Sequence, residues 1–210
     1  MAYDLEEQEQ LATLKGWWKD NGAKVLAAVA AVAIGVAGVQ VWRNWQAGQA
    51  QQAATLYDSL LKALQANDAK ALRDAGGTLV ESFPRTLYAG MGALASARYY
   101  ADKGDLKSAR AQLQWVVERS PSDELKDIAR LRLAGLLLDE KSYDGALALL
   151  EAKHAPAIAA QYAALKGDVM VARGQPSEAK AAYRTALEKA GERSGAFRAS
   201  VQLRLDALGG

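Results

Sequence analysis

Between Lys24 and Arg43 the chain carries no ionisable side chain: residues 25–42 read "VLAAVAAVAIGVAGVQVW". As a helix these 18 residues would be roughly 27 Å long, close to the ~30 Å thickness of a bilayer's hydrocarbon core. Trp17 and Trp18 stand before the run and Trp42 and Trp45 after it, which suits an element whose two ends lie among lipid headgroups. A cleaved secretory signal begins with a short basic segment, whereas a longer segment containing the acidic "YDLEEQEQ" precedes this one. A helix inside a soluble core would tolerate paired Trp at both ends but has no need of them. The run is therefore expected to be a permanent membrane anchor over residues 23–42. Lys15, Lys19 and Lys24 precede it and only Arg43 follows closely, so residues 1–22 are expected in the cytoplasm and residues 43–210 across the membrane. In a bacterium that is an inner-membrane protein with a periplasmic domain.

The span carries small residues at helical spacing: Ala27, Ala31 and Gly35, with Gly38 one turn further on. Such a stripe lets a second helix approach closely in lipid, where packing drives association. It is read as a docking face, against the alternative that Ala and Gly are simply common in such spans.

Half of the residues are hydrophobic, and the formal net charge is only +2. Beyond Trp42 there are 23 Lys and Arg against 19 Asp and Glu, interspersed, which leaves no electrostatic footprint for nucleic acid. The absence of cysteine excludes disulfides, thiolate metal clusters and thiol catalysis. The one histidine, His154, lacks the companions that a metal site or a Ser–His–Asp arrangement needs, and a surface or capping role is expected of it. "AGMGA" (89–93) has neither a strand before it nor a third glycine. Carboxylate neighbours such as Asp123–Glu124 sit where helix ends favour them. No enzyme signal and no cofactor site follow from these residues.

From about residue 47 the chain reads as helix after helix. "KGDLKSARAQLQWVVERSP" (103–121), "EKSYDGALALLEAKHAP" (140–156) and "ARGQPSEAKAAYRTALEKAG" (172–191) each pass from a polar turn to an apolar-periodic helix. Ala109, Ala146 and Ala179 take equivalent places, and Ala97, Ala134 and Gly167 stand where an upstream helix must cross closely. A period near 34 with this content is the mark of tetratricopeptide hairpins. A fainter unit covers 57–84, and a helix around 195–208 would cap the array. The fold class expected is thus all-α: one N-terminal transmembrane helix, then a tetratricopeptide-like solenoid of about four hairpins with a C-terminal capping helix. The repeats are degenerate, with Ala93, Arg130 and Ala163 where the repeat usually has tryptophan.

Aligning the repeats turns Met91, Leu94, Arg98, Ile128, Leu131, Leu138, Gln161, Asp168 and Val171 towards the concave face. An apolar groove rimmed by charges suits an apolar peptide or partner helix, although the same side chains could serve as ordinary core between repeats. Arg98 alone does not make a clamp for a terminal carboxylate, and none is expected.

Three stretches together resemble the YfgM family: "YDLEEQEQLATLKGWWKDNG" before the span, "VWRNWQ" after it, and "IARLRLAGLLLDEKSYDGALALL" in the third hairpin. The likeness covers nearly the whole chain. The resemblance implies a single-span inner-membrane protein, an ancillary subunit of the SecYEG translocon. It further implies association with a membrane-anchored periplasmic chaperone related to prolyl isomerases, and help in handing over proteins that emerge from the channel. A link to an envelope-stress response regulator through residues 1–22 is implied as well. The family brings no catalytic residue. The rival reading is a membrane-tethered scaffold for cell-envelope assembly, unrelated to secretion.

Overall fold

The computed structural model describes residues 2–191 and 194–209, with side chains from residue 7 onward. Of the acidic "YDLEEQEQ" segment, the side chains up to Glu6 lie outside the described residues. Contacts divide the chain into two units, Met1–Gly48 and Gln49–Gly210.

The first unit is helical and belongs to α1, Ala2–Gln65. Its apolar side chains are bare: Leu26, Val32, Ile34 and Val41 each keep more than 60% of their surface exposed. A helix that is apolar all round and that no protein covers requires an apolar solvent, and this one is long and apolar enough to cross a membrane. The tryptophans pair on either side of the uncharged run, Trp17 with Trp18 and Trp42 with Trp45, ring centroids 6.5 and 5.3 Å apart.

The second unit begins with the last turns of α1, whose Ala53, Leu60 and Ala63 are buried. It continues through α2 (Ala69–Ser82), α3 (Leu87–Asp102), α4 (Leu106–Arg119), α5 (Asp123–Asp139) and α6 (Tyr143–Leu150). A 3₁₀ turn at Pro156–Ile158 leads into α7 (Ala159–Ala172), α8 (Pro176–Lys189) and α9 (Gly195–Asp206). Among the described residues there is no strand. The end of α1 with α2, then α3–α4, α5–α6 and α7–α8 are four hairpins, and α9 packs on the last of them through Val201 and Leu205. The all-α solenoid with a terminal capping helix is the architecture that the period predicts.

Local chemistry makes each hairpin. Asp68 accepts from the backbone N–H of Lys70 and Ala71, Asp105 from that of Ser108, and Ser122 from that of Leu125, so α2, α4 and α5 start on capped donors. Hydrogen bonding from Ser108 holds the Asp105 carboxyl below the usual carboxylate range. The turn within a hairpin passes through the left-handed region at one equivalent position: Gly104 (φ 77°), Lys141 (φ 60°) and Gly174 (φ 74°). Glycine adopts that conformation freely; Lys141 does so at a cost.

Packing then follows residue size. Ala97, Ala134 and Gly167 on the first helices and Leu113, Leu150 and Tyr183 on the second helices are all buried. The smallest residue faces the largest: a Cβ on Gly167 would clash with the edge of the Tyr183 ring. Ala109, Ala146 and Ala179, each 0% exposed, hold the matching close approach from the other side.

Candidate interaction surfaces

The uncharged span presents Ala27, Ala31, Gly35 and Gly38 to its surroundings, all exposed. A Cβ added at Gly35 or Gly38 would meet nothing within 4 Å. Valines and leucine on the other faces are equally bare, so what distinguishes this face is its flatness, which permits close approach of a second helix.

On the first helices of the hairpins, Ile128, Leu131 and Leu138 are half-buried and pack on the central core with their inner edges. Met91 is half-buried, Gln161 is exposed and Val171 is 43% exposed. Arg98 extends into solvent and meets Asp102 at 3.8 Å. Two members of the set are committed elsewhere. Leu94 is 7% exposed and belongs to the core itself. Asp168 receives the Tyr183 hydroxyl at 2.8 Å and the Arg204 guanidinium at 3.0 and 2.8 Å, one contact to each oxygen, so it ties α7 to α8 and to the cap α9. Burial and the Asp168 acceptor push the Tyr183 phenol well above its ordinary pKa.

A buried polar cluster joins the third hairpin to the fourth. Asp127 (4% exposed) accepts from Arg130 on one oxygen and from the Ala155 backbone N–H on the other, both at 2.8 Å. The Tyr162 hydroxyl donates to the Asp127 carbonyl, also at 2.8 Å. His154 lies against the Tyr162 ring with centroids 4.3 Å apart. Burial, then the Asp127 charge, pushes the Tyr162 phenol up to about 12. Every polar atom named here has a partner inside the protein, which makes this cluster a clasp on the segment before α7. Arg130, at the place of the missing tryptophan, thus contributes an ion pair to the interface where the repeat usually contributes an apolar wedge. Among the described residues no group of three or more His, Asp or Glu side chains is placed to hold a metal ion.

Comparison with known proteins now bears on these surfaces. A family described as a tetratricopeptide repeat-like domain matches residues 15–210. A Haemophilus influenzae protein named ancillary SecYEG translocon subunit is 32% identical over 186 residues, 89% of this chain and 91% of that protein. A Neisseria gonorrhoeae protein of the same name is 32% identical over 209 residues, 99% of this chain and 100% of that protein. The Escherichia coli K12 protein of that name is 26% identical over 177 residues, 84% and 85% of the two chains. The chain belongs to the YfgM family.

For a YfgM-family chain with this solenoid, sequence reasoning passed over one residue of the first-helix face. Arg132 of α5 reaches across to α3, its Nη1 3.4 Å from the Leu94 carbonyl. It was legible only as a cation next to a groove position, Leu131; that it lies against α3 depends on how the two hairpins stack.

Proposed function

We propose that this chain is an ancillary subunit of the SecYEG translocon, acting by binding rather than by catalysis. The observation that carries the reading is the near-full-length likeness to proteins bearing that name, at 32% identity in two organisms. In this reading residues 23–42 cross the inner membrane, residues 1–22 are cytoplasmic and residues 43–210 are periplasmic. The bare, uncharged helix supports the crossing, and the lysines ahead of it support the orientation. The flat Ala27–Ala31–Gly35–Gly38 face docks against a helix of the channel. Tethering keeps the solenoid at high effective concentration near the exit. There the face around Met91, Ile128, Leu131 and Leu138 takes up apolar segments of emerging proteins, or a membrane-anchored chaperone of the prolyl-isomerase kind that receives them. Residues 1–22 are the part available to an envelope-stress response regulator in the cytoplasm.

Co-purification in mild detergent tests the reading. The intact chain is compared with one in which residues 23–42 are exchanged for an unrelated apolar helix. Recovery of SecY, SecE and SecG with the native span only is the expected result. Equal recovery would move the contact off the span. Recovery in neither sample would overturn the translocon assignment and leave a tethered envelope scaffold.

A further inference from the structure

Several arginines of the solenoid hold a carboxylate, on their own helix or on a neighbouring one. Arg110 meets Glu140 at 3.0 Å, Arg130 meets Asp127 at 2.8 Å, Arg173 meets Asp144 at 2.8 Å and Arg204 meets Asp168 at 2.8 Å. Arg132 has no carboxylate within 4.0 Å among the described residues. Its guanidinium is laid over α3 at Leu94, one helical turn from Arg98. Arg98 in turn has only the exposed i,i+4 contact with Asp102 at 3.8 Å, a geometry of little energetic weight. Partial burial and then the charge of Arg98 hold the Arg132 guanidinium below its ordinary pKa, so the two cations feel one another and an anion between them would relieve both. Apolar side chains border the pair: Met91 and Ile128 lie towards the starts of α3 and α5, and Leu131 and Leu138 accompany Arg132 along α5.

We propose that Arg98 and Arg132 form a carboxylate-reading pair in this face, and that its occupant is an apolar peptide segment carrying one internal Asp or Glu side chain. The inference rests on the reading of this face as a binding groove and names the chemistry that the groove selects. Two guanidiniums present planar donor forks that match a carboxylate in a way a neutral side chain cannot. The carboxylate is internal because apolar groups lie on both sides of the arginines along α5. A chain terminus would leave one of those sides unfilled.

The test uses the full-length protein in lipid nanodiscs and fluorescence anisotropy with three labelled peptides. All share one apolar sequence: the first has a central Glu and an amidated C-terminus, the second a central Gln and an amidated C-terminus, the third a central Gln and a free C-terminus. The expected result is that the Glu peptide binds roughly tenfold more tightly than either Gln peptide, with the margin shrinking as salt rises. Arg132→Gln should bring the Glu peptide to within about twofold of the Gln peptides while leaving their own affinity unchanged; Arg132→Lys, which keeps the charge and loses the fork, should fall between. An unshifted melting temperature in each variant shows that the face is still assembled, and Arg98→Gln serves as the second variant if Arg132→Gln melts early. Equal binding of the Glu and amidated Gln peptides would overturn the inference and spare the groove. Preference for the free C-terminus would overturn it in favour of terminal recognition. Failure of all three peptides to bind would sink the groove reading itself.

Discussion

Ala31 and Ala134 are the same residue in the same secondary structure, and their surroundings are opposite. Ala31 sits in a stretch where every neighbour is exposed; Ala134 is 0% exposed, with α6 packed over it. The glycines differ in the same way, since a Cβ at Gly35 would meet open space and a Cβ at Gly167 would meet the Tyr183 ring. Small residues at helical spacing permit close approach without supplying the partner. In the solenoid the chain provides its own partner one helix later. In the apolar run it provides none, so that face acquires meaning only beside lipid or another protein.

The comparison is broken most severely where the solenoid's internal partnership is polar. Asp127→Ala leaves Arg130 without its carboxylate and the Ala155 N–H without an acceptor, and should lower the stability of the solenoid by about 3 kcal/mol. Thermal denaturation followed by circular dichroism, beside the unchanged helix content of the span, measures it.

Gly167→Ala comes next. The helix would gain ~1 kcal/mol from the better former, but the ring clash outweighs that, for a net loss of about 2 kcal/mol. Adding Tyr183→Leu, which copies the Ala97–Leu113 arrangement, should recover part of the loss by removing the ring. A double variant less stable than either single one would show that size complementarity is not what governs this crossing.

Alkali should weaken the same clasp more gently. The Tyr162 phenol stands at about 12 in the folded chain against ~10 when unfolded. A raised pKa means that its contribution is intact below pH ~10 and is lost as pH rises towards ~12. Absorbance of the tyrosinate against pH, compared with Tyr162→Phe, should lose one late-titrating group; a titration without such a group contradicts the assignment.

Two smaller changes sharpen the contrast. Lys141→Gly removes a non-glycine residue from φ 60° and should stabilise the third hairpin by ~0.5–1 kcal/mol, read as a raised melting temperature. Gly35→Ala, with nothing within 4 Å, should leave the melting temperature unchanged and alter only association with a partner helix.

Much of the fold is legible because it is periodic. Ala109, Ala146 and Ala179 were recognisable from their spacing, and so were Ala97, Ala134 and Gly167, since a helix crossing demands a small residue at one repeating place. The first-helix face was legible only in outline. Leu94 repeats in register with Leu131, yet Leu94 is core and Leu131 is half open. Asp168 looked like a groove carboxylate until α9 brought Arg204 to it from 36 residues away. Arg132 and the Asp127–Tyr162 clasp were missed for the same reason, their partners being 38 and 35 residues distant.

What the sequence determined by itself was everything carried by composition and local period: an uncharged run long and apolar enough to cross a membrane, helix after helix beyond it, and the small residues that let them cross. What only the tertiary structure decided was which polar groups are already paired inside the protein and which, like Arg132, are left facing outwards. Periodicity sets where a side chain can meet a neighbour, but whether a charge finds its counterion depends on the stacking of hairpins 30 or more residues apart, a matter of distance in space that spacing along the chain does not encode.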